Sequence, residues 1–183
     1  MYWQDSVNHQ SPFLQKVQAL VDELSTELMA FFSSPKLEVA HKTDSSPVTE
    51  ADYRAEQIIS SHLANWLDVP MLSEEGPDMA FEERKDWQQF WLVDPLDGTR
   101  EFIAKRSEFS VNIALIDAGM PVWGLLLMPG LGEFFCGGAT TGVLFGRVGQ
   151  PYQAFEAIVG NSHRANILQD GTIGVAASRY YGR

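Results

Sequence analysis

Residues 91–102 read WLVDPLDGTREF, and the rest of the chain is best interpreted outward from this stretch. Its first three residues, Trp91, Leu92 and Val93, are apolar and typical of a buried strand. Because Pro95 has a fixed φ angle and no amide hydrogen, we expect the strand to stop there. Asp94 and Asp97 then lie three residues apart at the exit of the strand, and a short helix is predicted to begin near Thr99.

Two carboxylates held this close together require a compensating positive charge. At about 4 Å they repel each other by roughly 4 kcal/mol when the effective dielectric constant is about 20. Either one of them binds a proton or a hard metal ion lies between them. Carboxylate and carbonyl oxygens are ligands that suit magnesium, calcium or manganese. The alternative is an Asx turn, in which both side chains only accept hydrogen bonds from the local backbone.

A second pair of carboxylates, Glu74 and Glu75, follows the short apolar segment Met71-Leu72-Ser73. Glycine and proline come directly after the pair, which places it at a turn. Taken alone, such a pair is more often solvated than a metal ligand. Because strand ends converge in α/β sheets, we expect the pair to lie near Asp94 and Asp97.

The upstream acid Asp52 lies in the motif PVTEAD, residues 47–52. Thr49 is predicted to cap a helix, and Asp52 occupies the third position after it, where the acid of a capping box belongs. The helix dipole also favours a carboxylate at this end. Helix capping therefore explains Asp52 by itself, and a catalytic role is the alternative.

The elements around these motifs indicate an α+β fold. Apolar residues at helical spacing predict an amphipathic helix that begins at Pro12 and ends at Ser33-Ser34-Pro35, and a second one over residues 49–66. We expect a polar loop within residues 37–48, and a flap or short surface helix within residues 78–89. The apolar segments after residue 109 predict neighbouring antiparallel strands, so two long helices would pack on a mainly antiparallel sheet.

Composition narrows the classes of function. The net charge of −11 argues against nucleic acid or an anionic membrane surface as the main partner. The single cysteine, Cys136, excludes a disulfide framework, and the four histidines show no metal-binding spacing. Without a long apolar run or a signal-peptide pattern, the expected location is cytoplasmic, in solution or peripheral at the cytoplasmic face of the inner membrane.

Together these motifs resemble those of the lithium-sensitive, magnesium-dependent phosphomonoesterases. That superfamily includes inositol monophosphatases, fructose-1,6-bisphosphatases and 3'(2'),5'-bisphosphate nucleotidases. The resemblance is carried by LSEE at residues 72–75, DPLDGT at 94–99 and the upstream PVTEAD. DGTREFI at 97–103 and EFSVNIALI at 108–116 look like the bacterial bisphosphate nucleotidase branch. An inositol monophosphatase would usually show Thr-Asn-Phe after the Asp-Gly-Thr.

The resemblance implies a layered α+β sandwich of the inositol monophosphatase and sugar phosphatase type, with two or three Mg²⁺ ions in its site. Glu74, Asp94 and the carbonyl of Leu96 would hold the first ion. Asp94 and Asp97 would hold the second ion, so that Asp94 bridges the two. Two metals about 3.5–4 Å apart can stabilise both the attacking and the leaving oxygen of an in-line displacement.

The resemblance also implies catalytic and substrate-binding roles. Asp52 and Thr99 would orient the attacking water, with Glu74 counted among the catalytic groups. The substrate phosphate would be bound through Glu74, Leu96, Asp97, Gly98 and Thr99, the last two through their backbone amides.

The implied reaction is hydrolysis of the 3'-phosphate of adenosine 3',5'-bisphosphate (PAP) to AMP in sulfur assimilation, with the sulfated nucleotide PAPS as a further candidate substrate. The partner would be a small phosphorylated nucleotide, and self-association is left open. One alternative is an inositol monophosphatase or another phosphatase of the superfamily. An alternative of a different class is an inactive fragment that only binds metal.

The domain organisation departs from the family's pattern. Members carry a Trp-Asp-x-Ala motif in a second domain, and its Asp completes the second metal site, whereas Trp occurs here only at positions 3, 66, 87, 91 and 123. We expect residues 1–155 to form the metal-binding phosphatase domain. Residues 156–183, with a strand over 173–177, would begin an incomplete second domain, so the chain is expected to be a truncated member whose own activity is open.

Overall fold

The computed structural model describes residues 12–35, 39–41, 47–138, 142–151 and 156–157. Its α-helices are α1 (Pro12–Ser33), α2 (Glu50–Ala64), α3 (Phe81–Arg84) and α4 (Thr99–Ile103), with a short 3-10 helix at Pro129–Leu131. Its strands are β1 (Val39–His41), β2 (Pro47–Thr49), β3 (Met71–Ser73), β4 (Gln89–Asp97), β5 (Ser110–Asp117), β6 (Met120–Met128), β7 (Glu133–Gly138), β8 (Gly142–Arg147) and β9 (Glu156–Ala157).

Seven strands form one sheet in the order β3-β4-β5-β6-β7-β8-β9. Strand β3 runs parallel to β4, and every other neighbouring pair in this sheet is antiparallel. The long helices α1 and α2 pack together, and their buried residues join the core formed with the sheet. This arrangement confirms the predicted layered α+β fold with two long helices on a mainly antiparallel sheet.

The N-terminal side of α2 differs in part from the predicted polar loop, which runs from His41 to Pro47 within residues 37–48. Val39–His41 and Pro47–Thr49 pair as antiparallel strands, with Val39 opposite Thr49. Val39, Val48 and Thr49 are β-branched, which favours an extended backbone at these positions. The loop prediction is therefore wrong for His41 and Pro47, and its residues 42–46 lie outside the described residues.

Strand β4 also differs from the prediction, which had it stop at Pro95. Its pairing with β5 is regular as far as Asp94 opposite Asn112, and it resumes at Asp97 opposite Ser110. Two residues thus lie between the paired positions of β4 where β5 has one, which is a β-bulge. A proline within a bulge removes no ladder hydrogen bond, so the strand continues past Pro95 and carries both aspartates.

An aromatic cluster holds α2 against the centre of the sheet. Trp66 follows α2 and makes edge-to-face contacts with Trp91 of β4 and Trp123 of β6, at ring-centroid distances of 6.2 and 6.0 Å. Phe13 of α1 contacts Trp66 and Trp123 at 5.2 and 5.5 Å. Such aromatic pairs each contribute about 0.5–1.5 kcal/mol beyond their buried area. This packing fixes the orientation of α2 relative to β4.

The end of the described chain bears on the predicted domain division. Strand β9 begins at Glu156, the first residue of the predicted second segment, and pairs with β8 of the same sheet. The predicted strand at residues 173–177 lies outside the described residues, so the division at residue 155 stays a prediction. Within the described residues, no helix is long and apolar enough to cross a membrane.

Candidate active site

The first component of the site is Asp52, at the N-terminus of α2. The backbone N–H of Thr49 donates to Oδ2 of Asp52 at 2.8 Å, and the Thr49 hydroxyl donates to the same oxygen at 2.6 Å. The Thr49 hydroxyl in turn accepts from the amide of Ala51 at 3.2 Å. The predicted capping box is therefore present, and it holds a carboxylate that is only 1% exposed.

The other oxygen of Asp52 reaches a residue 47 positions along the chain. The Thr99 hydroxyl lies 3.1 Å from Oδ1 of Asp52 and also 3.1 Å from the carbonyl oxygen of Leu96. A hydroxyl has one hydrogen, so Thr99 donates to one of these oxygens at a time. Helix capping and the contact with Thr99 thus use different oxygens of the same carboxylate, and neither excludes the other.

The β4 bulge places the next two carboxylates. The amide of Leu96 donates to Oδ1 of Asp94 at 3.2 Å, which is the local contact of an Asx turn. Asp97 accepts hydrogen bonds from the backbone of Gly98 and from the side chain of Asn112. The local turn considered from the sequence is therefore present, with one donor reaching across from β5.

These local hydrogen bonds do not offset the negative charge at the bulge. Burial, together with the smaller effects of the Glu74, Asp97 and Glu75 carboxylates, raises the pKa of Asp94 to about 7. Burial also raises the pKa of Asp97, with further contributions from Glu74 and Glu101. The Glu74–Glu75 turn at the end of β3 therefore lies within electrostatic reach of the bulge, and the site favours bound protons or cations.

The groups that converge here are chemically suited to magnesium. Glu74, Asp94 and Asp97 offer carboxylate oxygens, and Leu96 offers a carbonyl oxygen beside Thr99. Mg²⁺ prefers such hard oxygen donors. Over the part of the chain that the structure describes, no three His, Cys, Asp or Glu side chains are arranged to hold a metal ion. The carboxylates are linked by their charges rather than by a preformed cage.

The predicted phosphate-binding residues lie at the start of α4. Gly98 caps this helix in the left-handed conformation, with φ of 92°. A β-carbon added there would lie 3.0 Å from the carbonyl oxygen of Glu108, so the turn needs glycine for two reasons. The Gly98 backbone hydrogen-bonds the Asp97 carboxylate, and the Thr99 amide belongs to the first turn of the helix.

Three further residues at the site were not found from the sequence. Glu56, on α2, accepts a hydrogen bond from the hydroxyl of Ser73. Asn112 contacts Asp97 from β5, and the 6% exposed Glu101 adds negative charge beside it. The spacing of Glu56, four residues after Asp52, places both on one face of α2 and was the available signal.

The chain is similar to proteins of one family. Residues 9–171 match the inositol monophosphatase family. The 3'(2'),5'-bisphosphate nucleotidase CysQ of Salmonella typhimurium is 47% identical over 118 residues, which is 63% of this chain and 48% of that protein. The chain therefore spans about half the length of the curated relatives it matches.

Solved structures show the same relationship. The crystal structure of CysQ from Bacteroides thetaiotaomicron has a TM-score of 0.61 at 36% identity, covering 76% of this chain and 52% of that one. A structure of an IMPase/NADP phosphatase complexed with Mg²⁺ and phosphate has a TM-score of 0.60 at 16% identity, covering 73% and 51%. The second likeness concerns the fold alone. With its fold and the match over residues 9–171, the chain belongs to the inositol monophosphatase family.

Proposed function

We propose that this chain is the metal-binding part of a magnesium-dependent phosphomonoesterase that removes the 3'-phosphate of PAP, giving AMP. The observation that carries the proposal is the hydrogen-bonded arrangement of Asp52, Thr99 and the Leu96 carbonyl beside the bulge with Asp94 and Asp97. It joins a buried carboxylate, a hydroxyl and a set of hard oxygen donors at one end of β4. Phosphoryl transfer requires mainly this kind of positioning and charge neutralisation.

Magnesium would be held by the carboxylates whose negative charges repel one another, together with one backbone carbonyl. Glu74, Asp94 and the Leu96 carbonyl would hold one Mg²⁺, and Asp94 with Asp97 a second one. When bound, magnesium would neutralise phosphate charge and make a bound water more acidic. Metal dependence is supported by the raised pKa of Asp94, to about 7, and by the oxygen-only donor set. The number of ions, two or three, is part of the proposal.

Asp52 and Thr99 would position the attacking water. When the Thr99 hydroxyl donates its hydrogen to Asp52, its oxygen keeps lone pairs that can accept a hydrogen bond from water. The water oxygen would then be oriented toward the phosphorus atom. Asp52 is well suited to this role because its second oxygen is held by Thr49 at 2.8 and 2.6 Å.

The phosphate would lie against the first turn of α4. The Thr99 amide would donate to a phosphate oxygen, and the Gly98 amide would join it once Asp97 turns toward the metal. Negative charge of the substrate is unfavourable beside Glu74, Asp94 and Asp97 until cations are bound. Magnesium and substrate are therefore expected to bind cooperatively.

The choice of a nucleotide over an inositol phosphate is supported by the similarity to the CysQ nucleotidases, 47% over 118 residues for the Salmonella protein. We extend the proposal to a role in sulfur assimilation, to a cytoplasmic location and to PAPS as a second substrate.

Phosphate release tests the proposal. The 183-residue chain and a chimera that adds the unmatched part of the Salmonella relative are assayed with PAP, PAPS and inositol 1-phosphate, with and without MgCl2. We expect the chimera to hydrolyse PAP only with magnesium, and the chain alone to bind magnesium with little turnover. Faster release from inositol phosphate than from PAP would refute the nucleotidase assignment. Failure of both proteins to bind magnesium would refute the metal site.

A further inference from the structure

Glu56 is a half-buried carboxylate that the proposed reaction does not use. It lies one helical turn after Asp52 on α2, so both side chains project from the same face of the helix. The hydroxyl of Ser73 donates a hydrogen bond to Oε2 of Glu56. Ser73 is the last residue of β3 and directly precedes Glu74. The contact therefore joins the helix that carries Asp52 to the strand end that carries Glu74.

The opposite side of the same strand end is held by β4. The amide of Glu74 donates to the carbonyl of Val93 at 3.1 Å, and β3 pairs in parallel with β4 up to Ser73 opposite Val93. The turn closes with the amide of Gly76 donating to the Ser73 carbonyl at 3.2 Å. Two backbone hydrogen bonds and one side-chain hydrogen bond therefore restrain the turn at the end of the three-residue strand β3.

The turn that follows β3 also lies beside the carboxylate of Glu56. A β-carbon added at Gly76 would lie 3.3 Å from the Ser73 carbonyl oxygen and 3.8 Å from Oε1 of Glu56. A side chain at this position would begin at ordinary van der Waals distance from the Glu56 carboxylate, so the turn lies directly beside the Glu56–Ser73 contact. Hydrogen bonds to a carboxylate are roughly twice as strong as those between neutral groups. Glu56 is thereby suited to restrain Ser73.

We propose that Glu56 is a positioning residue, which holds Glu74 at the magnesium site through its hydrogen bond to Ser73. The inference rests on the proposed metal site and adds a residue to it. One face of α2 then fixes two parts of the site, with Asp52 reaching Thr99 and Glu56 reaching the end of β3. Groups that orient metal ligands typically change metal affinity by about 10–100-fold when they are removed.

The first test measures positioning in metal-free protein. Amide hydrogen exchange at Glu74 and Gly76 is compared in the wild-type chain, Glu56→Ala and Ser73→Ala, with EDTA present. We expect exchange to be at least about fivefold faster in both variants, since one restraint on the turn is lost. Glu56→Gln keeps an oxygen acceptor for Ser73 and is expected to exchange at close to the wild-type rate.

The second test measures the affinity for Mg²⁺ by calorimetry on the same proteins. Because Glu56 acts through Ser73, we expect a rise in Kd of about three- to tenfold for Glu56→Ala, at or below the lower end of the usual range. Glu56→Ala in a Ser73→Ala background is expected to give no further rise. Glu56→Gln should restore most of the affinity.

Two control variants distinguish the positioning role of Glu56 from a loss of helix packing and from a change in net charge. Ile59→Val weakens the buried face of α2 without touching the contact, and Glu50→Gln removes an exposed charge from the same helix. A Kd for Glu56→Ala equal to that of Ile59→Val would overturn the proposal, as would faster exchange without any change in Kd. If the wild-type chain itself binds no Mg²⁺, the proposed metal site fails and this role fails with it.

Discussion

Replacing Asp94 by asparagine is expected to stabilise the metal-free protein at pH 8 and to abolish its response to magnesium. Asparagine keeps the oxygen that accepts from the Leu96 amide at 3.2 Å, so the turn is retained. The substitution removes the negative charge that Glu74, Asp97 and burial make unfavourable. The Asp94 carboxylate is also the proposed ligand shared by the two ions. Its loss should therefore raise the stability of the metal-free protein and lower its affinity for magnesium.

The magnitude follows from the pKa of Asp94. Its pKa rises from 3.8 to about 7 on folding, a difference of about 3. A difference of 3 in pKa corresponds to roughly 4 kcal/mol. Because the side chain is only partly buried, solvent screening reduces the expected effect to about 1–3 kcal/mol. For a domain of this size that is roughly 2–12 °C in Tm.

The direction with pH follows from proton linkage. The folded protein binds the proton of Asp94 more tightly than the unfolded chain, since its pKa is higher in the folded state. This contribution to stability is complete below a pH of about 3.8 and is lost as the pH rises through about 7. The advantage of Asp94→Asn should thus be small at pH 4 and largest above pH 7.

Thermal unfolding in EDTA from pH 4 to pH 8, and again with MgCl2 at pH 8, measures both effects. Magnesium at 100 times its Kd would add about 2.7 kcal/mol to the wild-type protein. Asp94→Asn should gain almost no stability from magnesium. The two Tm values are therefore expected to move closer together, or to reverse their order, when MgCl2 is added. Asp86→Asn, at an exposed position, is the matched control. Equal Tm values for wild type and Asp94→Asn in EDTA at pH 8 would refute the reasoning.

Three other substitutions test separate parts of the site. Asp52→Asn should leave the calorimetric Kd for Mg²⁺ within about threefold, because Asp52 is not a proposed ligand, and a loss as large as that of Asp94→Asn would contradict the roles assigned. Thr99→Val should lower PAP hydrolysis by the chimera at least about 100-fold while the Kd for Mg²⁺ stays unchanged, and unimpaired hydrolysis would exclude the hydroxyl from positioning water. Gly98→Ala should destabilise the chain by about 1–3 kcal/mol in chemical denaturation, since φ is 92° and the new β-carbon would lie 3.0 Å from the Glu108 carbonyl oxygen. Gly119→Ala, with positive φ but no atom within 4 Å, is its control, and an equal loss there would show that the close contact contributes nothing.

The long helices and the antiparallel strands could be predicted because their signals are local. Pro12 begins α1, and the Thr49 capping box begins α2 as the sequence indicates. The two errors involve information from elsewhere in the chain. Whether Pro95 ends β4 depends on the register of β5, and the pairing of Val39 with Thr49 depends on a partner ten residues away. Proline and loop rules describe a segment without its partner.

The site residues also divide into those with a local sequence signal and those whose contacts depend on distant parts of the chain. Asp94 and Asp97 were visible as a motif, and the wider site came from a family resemblance rather than from spacing. Asn112 carries no distinctive signal, since an asparagine on a strand is ordinary, and the only signal for Glu56 is its helical spacing from Asp52. Their contacts with Ser73 and Asp97 exist only once helix, β3 and β5 are packed together. Residues that support ligands are therefore harder to predict than the ligands themselves.

Helix α2 connects the packing of the fold to the chemistry of the site. The Trp66 contacts with Trp91 and Trp123 fix the C-terminal end of the helix on the sheet. A rigid helix of 15 residues then sets the position of Asp52 at its other end, where the Thr99 hydroxyl lies 3.1 Å away. A shift of about 1 Å in such a contact can lower a reaction rate about 100-fold. Core substitutions beneath α2 should consequently impair catalysis before they unfold the protein.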